Sequence, residues 1–257
     1  MLELPSDGID TIKSGDLNEH SRSEPLADWR RYFSFSTDHK VIGIQYIVTS
    51  FIFFLIGGLL AMIIRAELLT PESDLIDRAL YNGMFTIHGT VMIFLWIIPS
   101  TVGLANYLVP LMIGARDMAF PRLNAIAFWI IPLSGTLLLS SFLLPSGTAQ
   151  ASWWSYPPLS LQNPSGHFIN GELVWILSVF LLGISSIMGA VNFVTTIVRM
   201  RAPGMTFFKM PIFVWAILSA QLLQLFGIPG LTAAAVLLLF DLTLGTAFFD
   251  TSRTPIQ

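Results

Sequence analysis

The chain of 257 residues contains no cysteine. That absence excludes a disulfide framework, a thiolate metal site and a thiol nucleophile. Charge is scarce as well. Asp, Glu, Lys and Arg make up 11% of the chain, against about 25% in a typical soluble domain. The net charge of -3 provides no basic excess and argues against nucleic acid as a partner. Histidine occurs only at His20, His39, His88 and His167. The first 28 residues have neither the apolar core nor the cleavage site of a secretory signal peptide.

Apolar side chains fill the space that charge leaves. Hydrophobic residues make up 54% of the chain and the mean hydropathy is +0.70. Five apolar runs, near 41–64, 84–113, 123–145, 172–198 and 211–240, each reach the roughly 20 residues that a helix needs to cross a bilayer. The runs do not alternate in short strands, so helix is the expected spanning form. Twenty Phe and seven Trp suit a membrane protein with interfacial anchors and room for a flat cofactor. The expected fold is therefore an all-α membrane bundle of five spans.

The ends differ in kind. Residues 1–28 carry Glu3, Asp7, Asp10, Asp16, Glu19, Glu24 and Asp28 and are expected to form a flexible acidic tail. Trp29-Arg-Arg-Tyr-Phe-Ser-Phe35 reads as a short amphipathic approach to the membrane surface. With the N-terminus in the cytoplasm, the inner side holds Lys13, Arg22, Arg30, Arg31, Lys40, Arg116, Arg122, Arg199, Arg201 and Lys209. The outer side holds Arg65, Arg78 and Arg253. This positive-inside bias sets the expected orientation. The 146–171 loop has no Lys or Arg and is rich in Trp, Tyr and Pro, which suits an outer loop at the interface.

His88 stands inside the second apolar run, followed by Gly89. An ionisable group at that depth is costly and usually has a partner and a function. Spacing alone leaves two readings: a ligand to a membrane-embedded haem iron, or an imidazole hydrogen-bonded between helices. His88 and Asn106 are 18 positions apart, five turns, and would share a face in an unkinked helix. Ser185 and Asn192 are seven apart on the fourth span, with Ser186 and Gly189 between them, and Asp117 and Asn124 flank the inner end of the second and third spans. Such residues either line a watery path or hold helices together. Prolines and glycines within spans, Pro99 with Gly103, Pro132 with Gly135 and Pro229 with Gly230, mark expected kinks.

Several stretches together resemble subunit I of the haem–copper oxidases of the cytochrome c oxidase type. They are Phe33-Ser-Phe-Ser-Thr-Asp-His-Lys-Val-Ile-Gly43, Ile64-Arg-Ala-Glu-Leu68, Thr86-Ile-His-Gly-Thr90, the run from Asn106 to Asn124, Trp153-Trp-Ser-Tyr-Pro-Pro-Leu159, Ser185-Ser-Ile-Met-Gly-Ala-Val-Asn-Phe193 and Gly245-Thr-Ala-Phe-Phe-Asp250. They run in order from about residue 30 to 250 and look bacterial, of cyanobacterial cast. The resemblance implies a bundle like the first five of about twelve spans in that subunit. It also assigns roles. His88 matches an axial ligand of the low-spin haem, of a or b type, and so would contact its iron. Arg65 matches the arginine at that haem's periphery, and Trp153 a tryptophan near its propionates. Asp117 matches the acid at the mouth of a proton-uptake path lined by Asn106, Asn124, Ser185, Ser186 and Asn192. Glu67 matches, weakly, a ligand of a peripheral cation site.

The resemblance also implies groups for which this sequence has no ligands: the copper centre, the second haem, and the other axial histidine of the low-spin haem. Residues 251–257 read as divergent from the family. The expectation is a truncated chain or one part of a split subunit, inactive alone and active with a chain that supplies the missing spans. No catalytic residue is expected within it. The implied partners are lipid, subunits II and III and, through the complex, cytochrome c or a similar donor. The implied location is a bacterial plasma membrane or a thylakoid membrane. Two alternatives stand beside this reading: a non-enzymatic haem-binding membrane module and an inactive remnant. A solute or proton transporter would call for mid-membrane polar pairs and an inverted repeat, and the sequence shows no such repeat.

Overall fold

The computed structural model describes residues 29–71, 75–162 and 166–249. The expected acidic tail and the divergent segment 251–257 lie outside the described residues.

The described residues form helices joined by turns and loops, without strands. Helix α1 spans His39–Glu67. The second apolar run is one continuous helical rod in three parts. These are α2 (Arg78–Thr90), a π-helical stretch (Val91–Ile97) and α3 (Ile98–Ile113). Helix α4 spans Pro121–Ser140, α5 Gly171–Arg199 and α6 Ile212–Thr243. Five rods are long and apolar enough to cross a membrane. The second of them, with 36 residues, is well beyond the minimum.

Local chemistry sets the ends. The Asp38 carboxylate accepts from the Lys40 amide, Asp77 from Leu80 and Asn170 from Leu173, each satisfying one of the amides that a helix start leaves unpaired. Gly114 at φ 73° closes α3 in the left-handed conformation that glycine adopts without penalty. Pro121 opens α4, where its missing N–H costs nothing.

The π stretch ends two residues before Pro99. That proline has no N–H to return to the preceding turn, and its ring crowds the carbonyl four residues back. The widened turn absorbs the mismatch. Pro132 and Pro229, by contrast, lie inside continuous helices.

Helix α1 lies against α2, the π stretch, α3 and α4, while α5 packs on α4 and α6. Two cores result. One joins Ile42, Phe53, Ile87, Val91, Leu95, Leu138 and Ile176, and the other joins Val109, Ile113, Met118, Phe193, Ile197 and Val214. Glycine permits the close crossing of α1 and α3. A Cβ on Gly103 would meet Tyr46 Cβ at 2.8 Å and the Gly43 carbonyl oxygen at 2.9 Å. Helix α6 is strongly apolar and covered on one side only. Ile212, Leu223 and Phe226 remain exposed.

Ahead of α1, Trp29–Phe33 forms a short 3-10 turn. Its carbonyls at Tyr32, and at Ser34 just after it, accept from the buried Gln45 amide, so the segment folds back along α1. Trp29, Phe33 and Phe35 project outward, as suits an interfacial anchor.

Candidate functional site

Two polar groups occupy opposite ends of the bundle. The first is built around His88. Its Nδ1 lies 2.9 Å from the carbonyl oxygen of Gly57 in α1. A carbonyl can only accept, so Nδ1 is the donor, and Nε2 is the nitrogen that carries the lone pair in a neutral ring. No other group among the described residues hydrogen-bonds the ring. A neutral imidazole oriented by a main-chain carbonyl, with its far nitrogen available, is the usual form of a metal-ligating histidine. The residues present therefore fit a haem iron at Nε2.

Glycine makes the junction possible. A Cβ on Gly57 would stand 2.9 Å from Met92 Sδ, and one on Gly89 would stand 3.1 Å from Trp153 Cδ1. Trp153 thus rests on the backbone next to His88, with its ring centroid 6.5 Å from that of Phe94.

Thr86 and Thr90 lie one turn apart, on the face of α2 turned away from His88. Each donates to the carbonyl four residues back and accepts from another element: the Ser152 amide at 3.0 Å and the Trp175 indole at 2.8 Å. Arg65 is exposed in the last turn of α1, eight residues or about 12 Å along the helix from Gly57. Glu67 Oε2 accepts from the Leu75 and Ile76 amides, which fastens the loop after α1. Among the described residues no cluster of three or more His, Cys, Asp or Glu side chains could hold a metal ion.

The second group lies toward the start of α1. Asp117 is in the turn between α3 and α4, about a third exposed, with an oxygen 3.3 Å from Nδ1 of the buried His39. Together with Thr37, Lys40 and Arg116 they line an open cleft of about 340 Å³. Further in, the buried Asn124 amide donates to the Asn106 side chain at 2.7 Å. Asn192 brackets Phe120, accepting from its N–H and donating to its carbonyl. Ser185 donates to the Ala127 carbonyl at 2.7 Å. Beyond it, Tyr46, Phe94, Ser185, Ser186 and Gln221 line a cavity of about 20 Å³, room for a single water.

The structure corrects one expectation. His88 and Asn106 do not share a face, because the π stretch Val91–Ile97 separates them. A π turn takes up more residues than an α turn, so the five-turn count fails. His88 engages α1, whereas Asn106 engages α4. Ser185 and Asn192 do share a face, both bonding α4 or its entry.

Comparison with known proteins decides the family. Residues 41–257 match the profile of the family described as cytochrome c and quinol oxidase polypeptide I. The chain belongs to this family. Cytochrome c oxidase subunit 1 of Thermostichus vulcanus is 55% identical over 222 residues, which are 86% of this chain and 39% of that relative. The subunit of the same name from Synechocystis sp. PCC 6803 is 55% identical over 228 residues, 89% of this chain and 40% of its own length. That of Corynebacterium glutamicum is 48% identical over 217 residues, covering 84% and 36%. This oxidase-family chain thus spans about two fifths of the length of the cyanobacterial relatives.

Sequence reasoning did not single out Gly57, Thr86, Thr90, Trp175 or Glu172. The repeat of threonine at a four-residue interval around His88, and the Gly57-Gly58 pair in a span, were the signals available. Nothing in the order of residues indicates that the Asp117 turn folds over His39.

Proposed function

We propose that these five spans supply one axial ligand of a low-spin haem, together with the entry of a proton-uptake path, in a cytochrome c oxidase-type subunit I. The observation that carries this reading is the Nδ1 hydrogen bond of His88 to Gly57. It fixes the tautomer and aims the free Nε2 lone pair away from α1, as an iron ligand requires. Arg65 and Trp153, at the same end of the bundle, would contact the haem's periphery and propionate region. A haem held there supplies one-electron transfer.

The chain's own residues perform the remaining work. The Gly57 carbonyl in α1 holds the part-buried imidazole in one orientation. At the other end, Asp117 takes a proton at its carboxylate, in a cleft shared with His39. Asn124, Asn106, Asn192, Ser185 and Ser186 extend inward from it as hydroxyl and amide groups able to orient water. The N-terminal end of α1 is on the cytoplasmic side in this reading, from the distribution of Lys and Arg. Glu67 acts in it as a loop clasp, with a cation as a weaker second role.

Dioxygen reduction, the copper centre and the second haem belong to the assembled oxidase rather than to these spans. Its partners would be subunits II and III, a chain or segment supplying further spans, lipid, and cytochrome c or a similar donor. The membrane is a bacterial plasma membrane or a thylakoid membrane.

The test is a reduced-minus-oxidised optical spectrum of the protein purified from its native membrane with whatever accompanies it, before and after His88→Ala. A low-spin haem band lost in the variant is the expected result. A band that survives the substitution overturns the assignment of His88.

A further inference from the structure

We infer that Thr86 and Glu172 are positioning residues that clip Trp153 onto the histidine-bearing helix. This rests, for its functional consequence, on the reading of Trp153 as a haem-facing side chain. The geometry itself does not depend on that reading.

Trp153 lies between two residues in an uncommon backbone conformation. Ser152 has φ 62° and Ser155 has φ 46°. Left-handed backbone is disfavoured for any residue bearing a Cβ, and it persists only where the surroundings over-determine it. Each of these serines is tied to a different helix. The Ser152 amide donates to the Thr86 hydroxyl of α2 at 3.0 Å. The Ser155 hydroxyl donates to a carboxylate oxygen of Glu172, in the first turn of α5. Thr86, Ser155 and Glu172 are all buried, so solvent does not compete for these bonds.

The anchors are themselves well held. Thr86 is bonded back to the Asn82 carbonyl. Glu172 stands in the first turn of α5, a helix start that Asn170 caps by accepting from the Leu173 amide. The two ties flank the tryptophan, and between them the ring reaches Gly89, where no side chain intervenes. Removing either tie leaves the loop with one fastened end. The left-handed backbone can then relax, and the indole leaves the helix next to His88.

The experiment is amide hydrogen exchange on the protein in its native assembly, read peptide by peptide and paired with the haem spectrum. The variants are Glu172→Leu, Glu172→Gln, Thr86→Val and Trp153→Phe. Glu172→Gln keeps an acceptor for Ser155, and Thr86→Val keeps the side-chain shape. Exchange across Ser152–Tyr156 is expected to rise by about tenfold or more in Glu172→Leu and Thr86→Val, with α1 to α6 unchanged. Glu172→Gln is expected to restore protection. The haem band of the two uncoupling variants is expected to shift in the same sense as in Trp153→Phe. Unaltered exchange in that segment, or acceleration throughout the helices, overturns the proposal. If exchange rises locally but Trp153→Phe leaves the haem band unchanged, the clip stands and the haem-facing assignment of Trp153 fails.

Discussion

The Nδ1 of His88 and the carbonyl oxygen of Gly57 are 2.9 Å apart although the residues lie 31 positions apart in the chain. This bond joins the first two spans and fixes which imidazole nitrogen is free. The partner is a main-chain atom, so no substitution at position 57 removes the acceptor, but bulk there moves it. Gly57→Ala places a Cβ 2.9 Å from Met92 Sδ and 3.2 Å from Val91 Cγ1. We expect a loss of about 1–3 kcal/mol in stability from overpacking. A broadened haem band should accompany it. Thermal unfolding in detergent and the optical spectrum check the two effects separately.

The Asn124–Asn106 bond crosses from α4 to α3 with both side chains buried. Replacing one asparagine by leucine strands the other's amide, at a cost of about 1–3 kcal/mol. Replacing both removes the unmet group together with its partner. The double variant should therefore be less destabilised than the sum of the two single variants. A double-mutant cycle of unfolding free energies gives the coupling, and strict additivity would contradict the expectation.

Asp117 is partly exposed and the side chain beside it is His39, 3.3 Å away, so Asp117→Asn should leave folding almost untouched. Under the proposed function its effect falls on proton traffic. In proteoliposomes of the assembled oxidase, proton uptake should slow by roughly tenfold, about 1.4 kcal/mol of barrier. Normal uptake by the variant would remove Asp117 from the path.

Gly103 and Gly58 form a matched pair for testing helix contact. A Cβ on Gly103 meets Tyr46, Gly43 and Ile47 within 2.9 Å, whereas one on Gly58 meets nothing within 4 Å. Gly103→Ala should force α3 away from α1 and cost about 1–3 kcal/mol. Gly58→Ala should be neutral, or stabilising by about 0.5–1 kcal/mol, since alanine loses less backbone entropy in a helix. Equal melting temperatures for the two variants would deny that the α1–α3 crossing is tight.

The spans were legible in the sequence because length and apolarity are properties of contiguous residues. His88 was legible for a related reason, since a polar group in an apolar run is visible without any neighbour. Its partner was not legible, because Gly57 contributes a carbonyl and every residue has one. Pro99 announced an irregularity but not its kind, and the π turn it induces is what broke the expected alignment of His88 with Asn106. The contact of His39 with Asp117 was not legible, because that turn arrives from 78 positions later in the chain. Asn106 and Asn124 were both singled out, yet only the fold, in which α1 packs on both α3 and α4, makes them partners.

The π stretch also has a mechanical consequence. It divides the second span into two rods set at a fixed angular offset, as a gear is keyed to a shaft. Each α-helical residue advances the azimuth by about 100°, so deleting one residue among Val91–Ile97 would turn everything after it by about that much relative to the histidine. Asn106 would leave Asn124, and Gly103 would leave its seat against Gly43. The joint therefore keeps the His88 end and the Asn106 end in phase across a single helix, and the tolerance at this seam is less than one residue.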